Sequence, residues 1–266
     1  MISNPAASIR RSPRRLAGLL LAALAALVLV AGGCGIGNPH PPGSYERGQY
    51  FVEKENYAEA VLALESFVRH NPTDSLAADA QFLKAMTTMK MKEYPLAAVE
   101  FQILRKDYPT SPLVEDAFFQ EGVAYYRQVG RVQRDITGAL DAREHFRQFL
   151  KRYPDSQFKE QVDGYLLDIS DLVVSKRLRQ CRVFRQLKRP EAVALTLDTV
   201  LATEPQSRLV DRALLERGRI AEKLEDAAGA RAAYGRLVQE YPDSPHADEA
   251  RSALERLGAA EAETSS

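Results

Sequence analysis

The sequence has no tryptophan, two cysteines and four histidines among 266 residues. Two cysteines cannot build a disulfide framework, and no Cys-x-x-Cys is present. There is no His-Glu-x-x-His, no Gly-x-Ser-x-Gly and no phosphate loop, so the commoner metallohydrolase, serine-hydrolase and nucleotide-binding motifs are missing. His40, His70, His145 and His246 are scattered, and His145 reads as a surface histidine. The acids read as helix starts and outer faces. No catalytic residue, metal set or cofactor site is expected, and the chain is not read as an enzyme. Net charge is absent as well: 36 basic residues face 36 acidic ones. Four of the bases precede residue 34 with no acid among them, so the remainder carries a net charge of −4. A nucleic-acid partner needs a basic face and is not expected. Alternating β-branched stretches are missing too, which argues against a sheet.

What the chain does have is a repeat. Ala139 to Ser156 reads as an amphipathic helix with Leu140, Phe146, Phe149 and Leu150 on one side and a stop at Pro154, which has no N–H to continue the ladder. Five prolines end such helices: Pro72, Pro109, Pro154, Pro205 and Pro242, at spacings of 37, 45, 51 and 37. Twelve residues before each stand Ala60, Ala97, Ala142, Val193 and Ala230. Eight before stand Leu64, Phe101, Phe146, Leu197 and Tyr234. Five before stand Phe67, Leu104, Phe149, Val200 and Leu237. One slot is small and two are large, so a neighbouring helix can approach closely and the large residues fill the gap. A preceding helix carries a small residue 24 before the proline: Gly48, Ala85 and Gly218. Gly122 takes that place once an eight-residue insertion at 129–136 is allowed, and Cys181 takes it in the fourth repeat. Ser75, Ser111, Ser156, Ser207 and Ser244 follow the prolines as helix caps, each with an acid four residues on.

Paired helices of this kind, with small, aromatic and proline slots, resemble the tetratricopeptide repeat. Each pair has an apolar face that only stacking buries. The expected fold is all-α: a right-handed α-solenoid of about five helix pairs plus a C-terminal capping helix. The expected layout is a targeting segment over 1–33, a linker over 34–43, repeats one and two over 44–110, repeats three to five with the cap over 111–257, and a frayed tail over 258–266.

The one long apolar run, Leu16 to Val30, follows Arg10, Arg11, Arg14 and Arg15 and is short for a span of ~20 residues. Ala31-Gly32-Gly33-Cys34 after it resembles a bacterial lipobox, with alanine at the site usually held by leucine. The alternative is an ordinary cleaved signal or an uncleaved anchor. A lipidated Cys34 would hold the chain in the outer-membrane lipid, since two or more acyl chains anchor stably. Cys181 then has no partner and reads as a buried structural thiol.

Two surfaces stand out. Tyr45, Tyr50, Phe51 and Phe82 lie on first helices and are either core or anchors of a groove for an extended peptide. Lys176 to Arg189 is basic, with Arg177, Arg179, Arg182 and Arg185 either a solvated face or a docking surface for an acidic partner.

The lipobox, the Pro-rich segment and the five repeats together resemble the BamD family of outer-membrane β-barrel assembly lipoproteins. The most specific piece is Arg134-Asp135-Ile136-Thr137, leading into Ala142, Phe146 and Tyr153-Pro154-Asp155-Ser156. Ile136 replaces the family's usual glutamine, and the basic run stands where that family shows aromatics. The resemblance implies a non-enzymatic scaffold at the periplasmic face of the outer membrane. It implies as partners a BamA-like barrel protein, other lipoproteins of the assembly complex, and unfolded barrel substrates. The rival reading is a periplasmic adaptor of the Tol-Pal, cell-division, pilus or peptidoglycan systems.

Overall fold

The structure, a computed structural model, describes residues 38–128 and 136–264. The targeting segment, Cys34 and most of the insertion, with Arg134 and Asp135, lie outside the described residues. Within them the chain forms eleven helices and no strand. They are α1 (Tyr45–Glu53), α2 (Tyr57–His70), α3 (Ala77–Lys90), α4 (Tyr94–Asp107), α5 (Val114–Arg127), α6 (Thr137–Arg152), α7 (Lys159–Gln186), α8 (Pro190–Thr203), α9 (Val210–Lys223), α10 (Ala227–Glu240) and α11 (Ala247–Thr264). Each packs on its neighbours in sequence, and α1 meets α3 as α7 meets α9. That is a stack of helix pairs closed by α11. The last helix runs past Gly258, where the sequence reading places a frayed tail. Alanine and glutamate are good helix formers, and a single glycine costs only ~1 kcal/mol.

All five repeat prolines stand two residues beyond the second helix of a pair. The corner before each next helix is a tight turn. Serine works there two residues before the N-cap position: Ser111, Ser156, Ser207 and Ser244 accept from the N–H two residues on, at Leu113, Phe158, Leu209 and His246. Leu113, Phe158 and Leu209 are then the helix N-caps. Two of these hydroxyls donate backward to a first-turn acid of the preceding pair, Ser156 to Glu115 at 2.6 Å and Ser244 to Asp211 at 2.6 Å. Ser207 donates instead to Asp171, at 2.7 Å.

Within a pair the turn is closed by one left-handed residue. Glu55, Lys92, Lys188 and Glu225 have φ of 53 to 63°. The residue after each donates back across the turn to the first helix, as Asn56 does to Phe51 at 2.9 Å and Asp226 to Ala221 at 2.9 Å. This is the Schellman arrangement, here without glycine.

The small slots sit where close approach demands them. Ala60, Ala97, Ala142, Ala230 and Ala85 are fully buried, as are Gly48 and Gly218 to the same class. A Cβ at Gly48, Gly122 or Gly218 would collide with Leu64, Phe146 or Tyr234, the large slot of the same pair. The apolar core runs in segments. One joins the second and third pairs and ends on α7 at Ile169. The next begins on α7 at Val174 and reaches α9 at Ile220.

Candidate functional site

The four aromatic candidates divide. Tyr45 lies against Phe67, with ring centroids 5.9 Å apart, and Phe82 meets Phe101 edge-on at 5.7 Å. Both belong to the core. Tyr50 and Phe51 stand outside the apolar clusters, half-buried and 5.9 Å from each other. Cations sit over both rings: the Arg47 guanidinium 5.3 Å from Phe51 and the Lys54 ammonium 5.7 Å from Tyr50. The segment from Asn38 is fastened onto α1 beside them. Asn38 donates to the Arg47 carbonyl, Arg47 donates to the His40 carbonyl at 3.1 Å, and the His40 ring approaches Tyr50 at 6.0 Å. Of the peptide-groove set, then, Tyr50 and Phe51 are available at the surface.

The basic run divides in the same way. Arg185 is spent on Glu216 of α9. Arg179 is half-buried and donates to Ser175 at 3.0 Å. Arg177 and Arg182 are exposed, with Arg177 donating to Gln180. Arg185 also begins a charge relay over three first helices. Glu216 pairs on with Arg219 at 3.2 Å, and Arg219 with Glu249 of α11 at 2.6 Å. The C-terminal first helices therefore neutralise themselves across this line. Cys181 is fully buried, and burial pushes its thiol pKa up, against the pull of Arg185.

Several buried polar groups correct the sequence reading. His145 is not at the surface: it is 9% exposed and donates through Nε2 to the Phe118 carbonyl at 2.8 Å. Burial lowers its pKa, and Arg105 adds to this, while Glu121 and the Phe118 bond work the other way. Nor do all acids sit at helix starts. Glu121 is buried with Arg105, whose guanidinium lies 3.6 Å above the Phe118 ring, and accepts from Tyr125. Glu100 is buried with Lys84 at 3.0 Å and Gln81 at 2.7 Å. Glu204 is buried between Arg143 and Ser170. Each buried charge has a partner, as desolvation requires. Glu204 carried a readable signal, being the only acid in a slot that otherwise holds Asn71, Tyr108, Tyr153 and Tyr241. The ion-pair partners of Glu100 and Glu121 stand 16 residues away, and His145 bonds Phe118 27 residues away, which spacing does not reveal.

Among the described residues no group of histidine, cysteine and acids is arranged to hold a metal ion. No described helix is long and apolar enough to cross a membrane. The described surface is aromatic and cationic near its start and charge-paired near its end.

A stack of helix pairs with small-to-large slots defines the class as a helical-repeat protein. The chain belongs to the YfiO family of outer membrane lipoproteins, whose model matches residues 40–234. No curated protein matches the chain. A solved thermophilic TPR protein of Thermus thermophilus is 18% identical over 79% of this chain and 96% of its own, with a TM-score of 0.32.

Proposed function

We propose that the chain is a non-enzymatic scaffold of the machinery that inserts and folds β-barrel proteins in the outer membrane, tethered at the periplasmic face through lipid on Cys34. The carrying observation is the family match over residues 40–234, which spans the first four helix pairs and most of the fifth. The lipobox at Ala31 to Cys34 supports the tether, and the fastening of Asn38 and His40 to α1 is consistent with a tether that enters beside that helix. Tyr50 and Phe51 are the anchors offered to a segment of an unfolded barrel substrate, because they are the candidates not consumed by the core. Repeats three to five carry the contact with a BamA-like barrel protein and further lipoproteins of the complex, with Arg177 and Arg182 among the exposed cations there.

Gentle detergent extraction of the tagged full chain, followed by mass spectrometry of what it retains, tests this. A large β-barrel protein recovered at near-equal amount is the expected result. Recovery of Tol-Pal components in its place overturns the reading.

A further inference from the structure

The fourth pair departs from the others in length. α7 has 28 residues where α3, α5 and α9 have 14, while α8 keeps 14. A second helix of 14 residues covers only half of such a partner. It covers the C-terminal half: Val174 and Cys181 of α7 pack with Val193 and Leu197 of α8. Glu204, just past the end of α8, already stands at Ser170. The serine link shows the same displacement. Ser207 bonds Asp171, three turns beyond Glu160, the first-turn acid of α7. The α7 residues before Ser170 extend for about 16 Å with no second helix of their own.

The face left open continues the face that α8 covers. Asp163, Leu167, Ser170, Val174 and Cys181 follow at the spacing of one helical face. The third pair packs against the neighbouring side of α7, through Val162, Tyr165, Ile169 and part of Leu166. The open part is a cleft of about 330 Å³, lined by Arg143 and Arg147 of α6, Asp163, Leu166 and Leu167 of α7, and Gln206 at the next corner. Leu166 and Leu167 are half-buried. Arg143 is committed to Glu204 and Asp163 to Lys159. Arg147 is exposed, and no carboxylate of the described residues pairs with it.

We propose that this cleft is a docking groove for one amphipathic helix of a partner protein, seated on Leu167 and the exposed part of Leu166 in the place a second helix would take and presenting a carboxylate to Arg147. α8 shows the mode of packing on the same face one step along. Uncompensated Arg147 sets the sign of the partner, because a cationic helix would meet it unpaired. The proposal goes beyond the assembly role and does not rest on it.

The test uses the full chain in mild detergent and a fluorescent, stapled 14-residue helical peptide with two leucines four apart, flanked by glutamates. Anisotropy should show saturable binding, weakened at least tenfold by Leu167→Glu and by Arg147→Glu. Asp163→Trp fills the cleft from an exposed position without removing a buried contact, and should weaken binding as much. The same peptide with lysines for glutamates should bind at least tenfold more weakly. Absence of saturable binding, equal binding of the two peptides, or indifference to Arg147→Glu and Asp163→Trp overturns the proposal. A dimer abolished by Asp163→Trp also overturns it, since the occupant is then a second copy of the chain.

Discussion

Arg143 and Glu204, 61 residues apart in the chain, meet in a two-pronged ion pair, Nη1 to Oε1 at 2.9 Å and Nη2 to Oε2 at 3.1 Å. The pair ties the corner after α8 to α6 at the level where one apolar cluster ends on Ile169 and the next begins on Val174. The glutamate side chain is 3% exposed and the arginine 14%. Removing one partner leaves the other buried without compensation. Arg143→Met should therefore cost about 3–5 kcal/mol in urea unfolding, and Arg143→Met with Glu204→Gln should recover part of it. A single-variant loss under ~1 kcal/mol would show that the seam is held by something else.

The glycine slots predict a sharper contrast. A methyl group at Gly218 would run into the Tyr234 ring, whereas one at Gly235 meets nothing within 4 Å. Gly218→Ala should destabilise by about 1–3 kcal/mol through overpacking. Gly235→Ala, in the body of α10, should stabilise by up to ~1 kcal/mol through helix propensity. Thermal melts of the two variants should move in opposite directions.

Lys92 holds φ of 63° in the turn between α3 and α4. The left-handed region costs a residue with a Cβ about 1–2 kcal/mol, and glycine escapes that cost but loses more chain entropy on folding. Lys92→Gly should raise stability by roughly 0.5–1 kcal/mol, and Lys92→Val should lower it, as read from urea midpoints.

Much of this fold was written in the order of residues. The slots at Ala60, Leu64 and Phe67 recur four more times in phase with a proline, and that period requires no knowledge of partners. The contacts between Gly48 and Leu64, or Gly218 and Tyr234, then follow from helix geometry. The buried charges did not follow. Glu100 looks like any polar residue of an amphipathic helix until α3 brings Gln81 and Lys84 against it. Arg185 belongs to a basic run in sequence, yet its partner Glu216 lies on another helix. Tyr45 and Phe82 were indistinguishable from Tyr50 and Phe51 by type and spacing. Packing against Phe67 and Phe101 separates them.

Cys34 lies outside the described residues, so its role is tested in the membrane. Cys34→Ala should move the protein from the membrane pellet to the soluble fraction, because the variant lacks the site for the two or more acyl chains that stable anchoring takes. Unchanged sedimentation with membranes would end the lipid-tether reading.

His145 predicts a pH dependence of stability whose sign is fixed by its surroundings. Its ring is buried between α5 and α6, bonded to the Phe118 carbonyl and stacked edge-on to Phe118 at 4.6 Å and Tyr125 at 5.3 Å. Burial holds its pKa below 6.5, more than Glu121, 3.8 Å away, can restore. The unfolded chain therefore takes up the proton first as pH falls. The contribution is fully present above pH ~6.5, where both states are neutral, and is lost as pH falls through that value towards the folded pKa. Urea stability should decline between pH 7 and pH 5. His145→Gln keeps a donor for Phe118 without a titrating ring, and should flatten that decline while costing some stability at pH 7. An unchanged slope in the variant would assign the acid sensitivity to other groups.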